Sequence, residues 1–412
     1  MGLKAGLFRF AHARPHAFVI TAPGATRTRL FVEAELTRRG GRPVRSPAAA
    51  AILVVCGRPG AGLAAAADTI WEDVPGPRAL VRLDEVASAE DVAAELDRAT
   101  RELADTSAQW ADALARKDRG PWSPADEPDH GGHMEHGGHM EHGGHMEHGG
   151  HEHHMGAPAG LAMAGRAADR DGLKLDVLHI PLGPALADWP AGLVLDLTVQ
   201  GDVVQSAEAV VMDGSAAGPA FWDEPWLRAA AGERVTTGDA ERRRAASHLD
   251  SAGRLLAVAG WDSAADQARV LRDQLVAGEP QSELAPRVGR FVRRARRSRT
   301  LRWMLGGVGV IDPELAERHL PKASTGYVGD VFARLSAWLD TIGEAARRLD
   351  DSAPLRDLDG PRGPVDGRTS AAFVAMLPEL LEGMELAAAR LTVASLDPDL
   401  DQIGVPAEVS GE

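Results

Sequence analysis

Residues 119–171 interrupt the chain. Pro121, Pro124 and Pro128 lead into HGGHMEHGGHMEHGGHMEHGGHEHHM at 130–155, where the hexapeptide HGGHME occurs three times and then decays; glycine- and alanine-rich sequence follows. A stretch so poor in bulky apolar side chains cannot bury enough surface to offset the entropy of ordering it. It reads as a disordered linker. What folds must therefore fold on either side of it, as an N-terminal domain at 1–118 and a C-terminal domain at 172–412. The total of 412 residues agrees with two or three domains at roughly 100–200 residues each.

On the N-terminal side, 16–21 (HAFVIT) reads as a short strand, Ala22 to Ala25 as a glycine-containing turn, and the next stretch as a helix to about Arg39. The run AILVV at 51–55 is continuously apolar, as expected of a strand covered on both faces. Gly57-Arg58-Pro59-Gly60 breaks it, a helix runs to about Trp71, and ALVRL at 79–83 makes another strand. Residues 89–117 read as one long helix with Val92, Leu96, Ala99, Leu103, Trp110 and Leu114 on its apolar face. Strands alternating with helices predict an α/β domain with a flavodoxin-like parallel sheet.

On the C-terminal side, 192–211 alternates apolar and polar residues about a Gln-Gly-Asp turn, a β-hairpin pattern. A helix begins near 239, with Thr237 to Asp239 as its cap and Ala245, Leu249, Leu255, Leu256 and Val258 as its apolar face. Gly260-Trp261-Asp262 interrupts it, a second helix runs to Ala277, and more follow at about 283–305, 327–350 and 371–394. This domain reads as mainly α with a small β-hairpin region.

Composition narrows the chemistry. A net charge of −15 argues against nucleic acid as a partner. No run approaches the ~20 apolar residues that span a bilayer, and MGLKAGLFRFAHARP lacks the apolar core and cleavage site of a signal peptide. The expected location is cytoplasmic, as a free protein or a soluble subunit docked at the inner face of the cell membrane. The single cysteine, Cys56, makes no internal disulfide and falls short of the thiolates of an iron–sulfur cluster or a cysteine-type zinc site.

Three features carry candidate chemistry. Ten of the fifteen histidines lie in the repeat: His130, His133, His136, His139, His142, His145, His148, His151, His153 and His154. Imidazole suits Ni, Cu, Zn and Co(II), and Met134, Met140, Met146 and Met155 would add thioethers for Cu(I). Spacing by three with glycine between predicts multi-site, exchangeable binding; the other reading is a slipped repeat in a solvated linker. Residues 287–302 carry eight arginines, among them Arg293, Arg294, Arg296 and Arg297. They read either as a solvated helix neutralised by carboxylates or as a docking surface for an acidic subunit or anionic lipid; without interleaved aromatics they offer no stacking platform for nucleic acid. The GRPGAG loop at 57–62 follows a strand and precedes a helix, as a phosphate cradle does, but matches neither standard glycine motif. A tight strand-to-helix turn explains it as well. His12, His16, His179, His248 and His319 are scattered, and each reads as an ordinary surface or core group.

The segment RPVRSPAAAAILVVCGRPGAGLAAAADTIWEDVPGPRALVRL, with the strand and loop before it, resembles the cluster-bearing small subunit of respiratory complex I and of energy-converting NiFe hydrogenases. Four later segments resemble the large subunit of the same complexes: PLGPALADWPAGLVLDLTVQGDVVQSAEA, GDVFARLSAWLDTIGEAARRL, GPRG at 360–363, and SAAFVAMLPELLEGMELAAARLTVASLDPDLDQI at 370–403. The last is the most specific, by its length and its Ser-Leu-Asp-Pro end. The chain thus looks like a fusion of the two subunits through the histidine tract. The resemblance implies cluster cysteines in the loop at 21–29, but that loop reads TAPGATRTR. It implies two Cys-x-x-Cys pairs for nickel and iron, or a histidine-bearing hairpin loop and a tyrosine for quinone; here the hairpin segment is GPALADWPAG, and Tyr327 lies outside the motif.

The resemblance therefore implies a cofactor-less scaffold or coupling subunit, not an enzyme by itself, with no Fe–S and no NiFe group. Its partners would be antiporter-like integral membrane subunits and other complex I- or hydrogenase-like subunits on a proton- or cation-translocating membrane arm. Two alternatives remain open at this stage. One is a working subunit of an NADH–quinone oxidoreductase or hydrogenase whose cofactors sit on partner chains. The other is a metal-handling protein built on the histidine tract. Arg362, in the GPRG loop, is implied to lie beside the cavity that the absent cofactors would leave between the domains.

Overall fold

A computed structural model of the protein describes residues 16–117, 166–168, 174–213, 219–321 and 325–403. Its N-terminal part is a four-stranded parallel sheet of order β2-β1-β3-β4, formed by His16–Thr21 (β1), Arg42–Pro43 (β2), Ile52–Cys56 (β3) and Ala79–Leu83 (β4). Every residue of β3 is buried because both faces are covered. Ile52, Val54 and Cys56 face Val32 and Leu36 of helix α1 (Thr26–Arg38), together with Val92 and Leu96. Leu53 and Val55 face the opposite layer, with Leu63 and Ala67 of α2 (Ala61–Asp73). The order 2-1-3-4 with helices on both faces is that of a flavodoxin-like sheet.

The region read as one long helix is two: α3 (Ala89–Ala104) and α4 (Thr106–Lys117). Ser88 and Asp91 form a reciprocal capping box at the start of α3. The carboxylate of Asp105 accepts from the backbone of Ser107 and Ala108 and starts a new helix there. Trp110 and Leu114 consequently stay exposed, although they keep the period of the buried stripe before them.

The C-terminal part opens with an antiparallel sheet of Arg166–Ala168 (β5), Lys174–Leu182 (β6), Leu193–Gln200 (β7) and Val203–Val211 (β8). The β7–β8 pair is the hairpin expected around Gly201-Asp202; β6 extends the sheet, and β5 lies within the segment read as linker. Among the described residues, α5 (Glu224–Ala230) is followed by α6 (Thr237–Val258), α7 (Asp262–Val276), α8 (Gln281–Arg296), α9 (Arg299–Leu305), α10 (Pro313–His319), α11 (Val331–Ala345), α12 (Arg368–Leu381) and α13 (Leu386–Leu396). The expected helices at 283–305 and 371–394 are thus each divided, the first where Ser298 caps α9 and the second at Gly383, whose φ is +80°. Thr236, one residue before the expected cap, caps α6 with Asp239.

One apolar core packs α6 against α7, α8 and α11; a second packs the antiparallel sheet against α12 and α13. The two halves of the chain meet closely. Leu30 joins the α6 core, and Ala185 and Met212 pack on the outer layer of the parallel sheet. Among the described residues no helix is long and apolar enough to cross a membrane.

Candidate functional site

A cavity of about 130 Å³ lies in the seam between the halves. Its N-terminal wall is the carboxyl end of β1 with Thr21, the first turns of α1 with Thr26, Arg29 and Glu33, and Arg45 after β2. Its C-terminal wall is the loop 184–191, Asp250 and Arg254 of α6, Arg269 of α7, Arg362, and residues 397–401. In open parallel sheets, ligand crevices form at the carboxyl ends of strands.

The wall is built of ion pairs that cross the seam. Asp250, 2% exposed, accepts from Arg29 of the N-terminal half at 2.8 Å, from Arg254 at 2.8 Å and from Arg272 at 2.6 Å. Glu33 accepts from Arg29 at 2.9 Å and from Arg272 at 2.8 Å. Arg254 reaches on to Asp397 at 2.9 Å. Arg362 donates from Nε to the backbone carbonyl of Asp397, from Nη1 to Ser247, and from Nη2 to Ser251 and the Asp397 carboxylate. Burial works against the charges, yet Arg29, Arg254 and Arg272 hold the Asp250 carboxyl well below its ordinary value. Burial opposes Glu33 likewise, and Arg29 with Arg272 holds its carboxyl at about 2.

Two wall residues also take unusual backbone shapes. Among the described residues, Asp188 (φ 58°) and Asp397 (φ 39°) are the non-glycine positions with positive φ. Such conformations persist where the surroundings over-determine them. Asp397 ends α13 in this shape and turns its carboxylate to Arg254 and Arg362. Asp188 turns its own to Arg269 at 2.6 Å.

Beside Arg362 stands a second group of carboxylates. Asp401 accepts from the backbone N–H of Gly24, at 2.6 Å, in the loop after β1. Asp223 accepts from Gln402, and burial pushes its carboxyl up to about 6. Asp399 is raised further, by burial and then by Asp401 and Asp223. One oxygen each of Asp223 and Asp399 has no hydrogen-bond partner among the described residues. Asp223 and Asp399 therefore tend to hold protons. Among the described residues no group of His, Cys, Asp and Glu is placed to hold a metal ion.

The donor set does not fit the groups implied by the resemblance. The loop at 21–29 brings hydroxyls and a guanidinium to the seam where cluster thiolates would stand. Cys56 sits inside the sheet opposite Thr21 and Leu83, and burial pushes its thiol up to about 12. It packs in the sheet core and is not among the residues that line the cavity. The glycines of 57–62 serve packing: a Cβ at Gly60 would stand 2.5 Å from the carbonyl oxygen of Asp213, and one at Gly62 2.3 Å from the Met212 methyl. Met212 and Asp213, just after β8, thus cover the start of α2, where a phosphate would have to sit.

The remaining expected residues are dispersed. Arg362 is 2% exposed and lines the cavity. Arg296 pairs with Asp340, and Arg294 donates to Gln267 and Ser263 and lies over the Trp261 ring. Arg293 and Arg297 are exposed on α8 and at its C-terminus. His130 to His154 lie outside the described residues. His179 meets the Thr198 hydroxyl, and His319 meets Glu379. His248 is buried beside Trp338 and held neutral by burial and by Arg362 and Arg244. Sequence reasoning missed Arg29, Glu33, Asp188, Asp250, Arg254 and Arg272. The one available signal was Asp250 and Arg254, four apart within the small and apolar stretch 245–258.

No family model matches the chain, and no curated protein does. Among solved structures, the chain is similar to a chain of the membrane-bound sulfane sulfur reductase, an archaeal respiratory membrane complex. The TM-score is 0.38 at 16% identity, over 55% of this chain and 98% of that one.

Proposed function

We propose that this protein is a cofactor-less scaffold and coupling subunit, a fusion of small- and large-subunit-like domains joined by the 119–171 linker. In this reading it docks at the inner, cytoplasmic face of the membrane on antiporter-like subunits that translocate protons or cations. The observation that supports it is the seam itself. Where the small subunit that the sequence resembles would need thiolates, guanidinium–carboxylate pairs run from Arg29 and Glu33 across to Asp250 and Arg272. Such a junction transmits position from one half to the other, because the pairs fix register more than they add net stability. It offers no sulfur ligand for an electron carrier.

The test is purification of the full chain from its native membranes in mild detergent under anaerobic conditions. Integral membrane subunits should co-elute, and the chain should show no iron–sulfur signal by electron paramagnetic resonance. Elution without membrane partners overturns the reading. A stoichiometric cluster signal from the isolated chain also overturns it, in favour of an electron-carrying subunit.

A further inference from the structure

Helix α8 buries Leu284, Val288, Phe291 and Ala295 along one stripe. Its opposite stripe is Arg290, Arg293, Arg294 and Arg297, spaced by three and four residues on one face. After a cap at Ser298, the short α9 buries Leu301 and Leu305 and leaves Arg299, Arg302, Trp303 and Met304 exposed. Trp303 is 83% exposed, and Val310 beyond the next turn is also open. Some arginines here have local work: Arg287 lies by Glu279, Arg296 pairs with Asp340, Arg294 lies over Trp261 and Arg302 over Phe332. The side chains of Arg290, Arg293, Arg297 and Arg299 have no carboxylate partner among the described residues.

Exposed, unpaired cations on α8 and α9, with a bare tryptophan on the same short stretch of chain and a net charge of −15 overall, need an explanation that internal neutralisation does not give. We propose that this face docks on an anionic phospholipid surface, with Trp303 and Met304 at the headgroup–acyl boundary and the four unpaired guanidiniums on lipid phosphates. Tryptophan settles at that boundary because its ring is apolar and its N–H polar. Basic residues at an anionic surface attract it individually and without fixed geometry. An acidic protein fits less well: Trp303, Met304 and Val310 are far short of the ~20–30 residues a side of a stable protein interface. The inference does not rest on the scaffold reading, since it needs only lipid.

The experiment uses the full chain and protein-free vesicles at pH 8, where the histidine tract is uncharged. The chain should sediment with phosphatidylcholine vesicles carrying about a third phosphatidylglycerol, and stay in the supernatant with phosphatidylcholine alone. Arg293→Gln with Arg297→Gln should weaken partition roughly thirtyfold, at about a factor of five per arginine. Trp303→Ala should abolish the vesicle-induced blue shift of tryptophan fluorescence. All three positions are exposed, so circular dichroism should be unchanged. Equal sedimentation with both vesicle types, or variants that partition like the parent, overturns the proposal. So does binding to a poly-glutamate peptide without binding to anionic vesicles, which assigns the face to an acidic protein.

Discussion

Replacing Asp250 by Asn tests whether the seam is held by charge. The substitution keeps size and one acceptor oxygen but removes the charge that Arg29, Arg254 and Arg272 share. A hydrogen bond to a charged group contributes about 1.5–3 kcal/mol, so three independent losses would total about 4.5–9 kcal/mol. They are not independent. Arg29 keeps Glu33, Arg254 keeps Asp397, and Arg272 keeps Glu33 and Asp273. The expected loss is therefore about 3–5 kcal/mol, the range for stripping one partner from a buried pair. Urea unfolding followed by circular dichroism measures it. A cycle with Arg29→Met should return a coupling of about 1–3 kcal/mol across the seam.

The pH dependence carries a sign of its own. Asp250 and Glu33 titrate below their ordinary values when folded, Glu33 moving from 4.5 to about 2. Their stabilisation is fully present above pH 4.5 and is lost as pH falls toward 2. The gap between parent and Asp250→Asn should therefore be widest at pH 7 and shrink by pH 3. A variant within ~0.5 kcal/mol of the parent at pH 7, or a cycle that is additive within that margin, would refute the claim that these pairs join the halves.

Asp223 has the opposite sign. Its carboxyl, raised by burial from 3.8 to about 6, favours the fold below pH 3.8 and disfavours it increasingly up to pH 6. Asp223→Asn should accordingly gain roughly 2–3 kcal/mol at pH 7.5 and nothing at pH 3.5, at about 1.4 kcal/mol per pKa unit; denaturant midpoints at the two pH values decide. Gly60→Ala should cost about 1–3 kcal/mol, because its Cβ meets the backbone oxygen of Asp213, whereas at Gly62 the Met212 methyl can swing aside. Equal thermal midpoints for the two alanine variants would remove that packing account. Isothermal titration should show several Ni(II) and Zn(II) sites on the full chain and none after deletion of residues 130–155, and binding that survives deletion would place the sites elsewhere.

The parallel sheet was legible because its signals are local. The run AILVV at 51–55 needs two covered faces, and Gly57-Arg58-Pro59-Gly60 marks where it ends. The break at Asp105 was not, because Trp110 and Leu114 continue the period of Val92, Leu96 and Leu103. Periodicity reports which residues share a face, not whether anything covers it, and a capping carboxylate at Asp105 outweighed it. The same logic hid the break at Ser298.

The seam lay hidden for a different reason. Asp250 and Arg254 are four apart on a helix, which in sequence is the ordinary spacing of a solvated surface pair. Only the packing of α1 against α6 and α7 buries them, and the residues that complete the network, Arg29 and Glu33, lie more than two hundred positions away. Each guanidinium in the seam has a carboxylate and each of these carboxylates at least one guanidinium, so burial leaves little uncompensated charge but adds little net stability over an apolar seam. An apolar seam, however, would tolerate sliding between the halves. Arg29 meeting Asp250 through two nitrogens, at 3.2 and 2.8 Å, tolerates little. The positive-φ shapes of Asp188 and Asp397 line the same cavity and are held against its arginines, Asp188 by Arg269 and Asp397 by Arg254 and Arg362, so strain and charge converge on one wall. The paired charges and the two positive-φ aspartates therefore hold the two halves of the chain in one register.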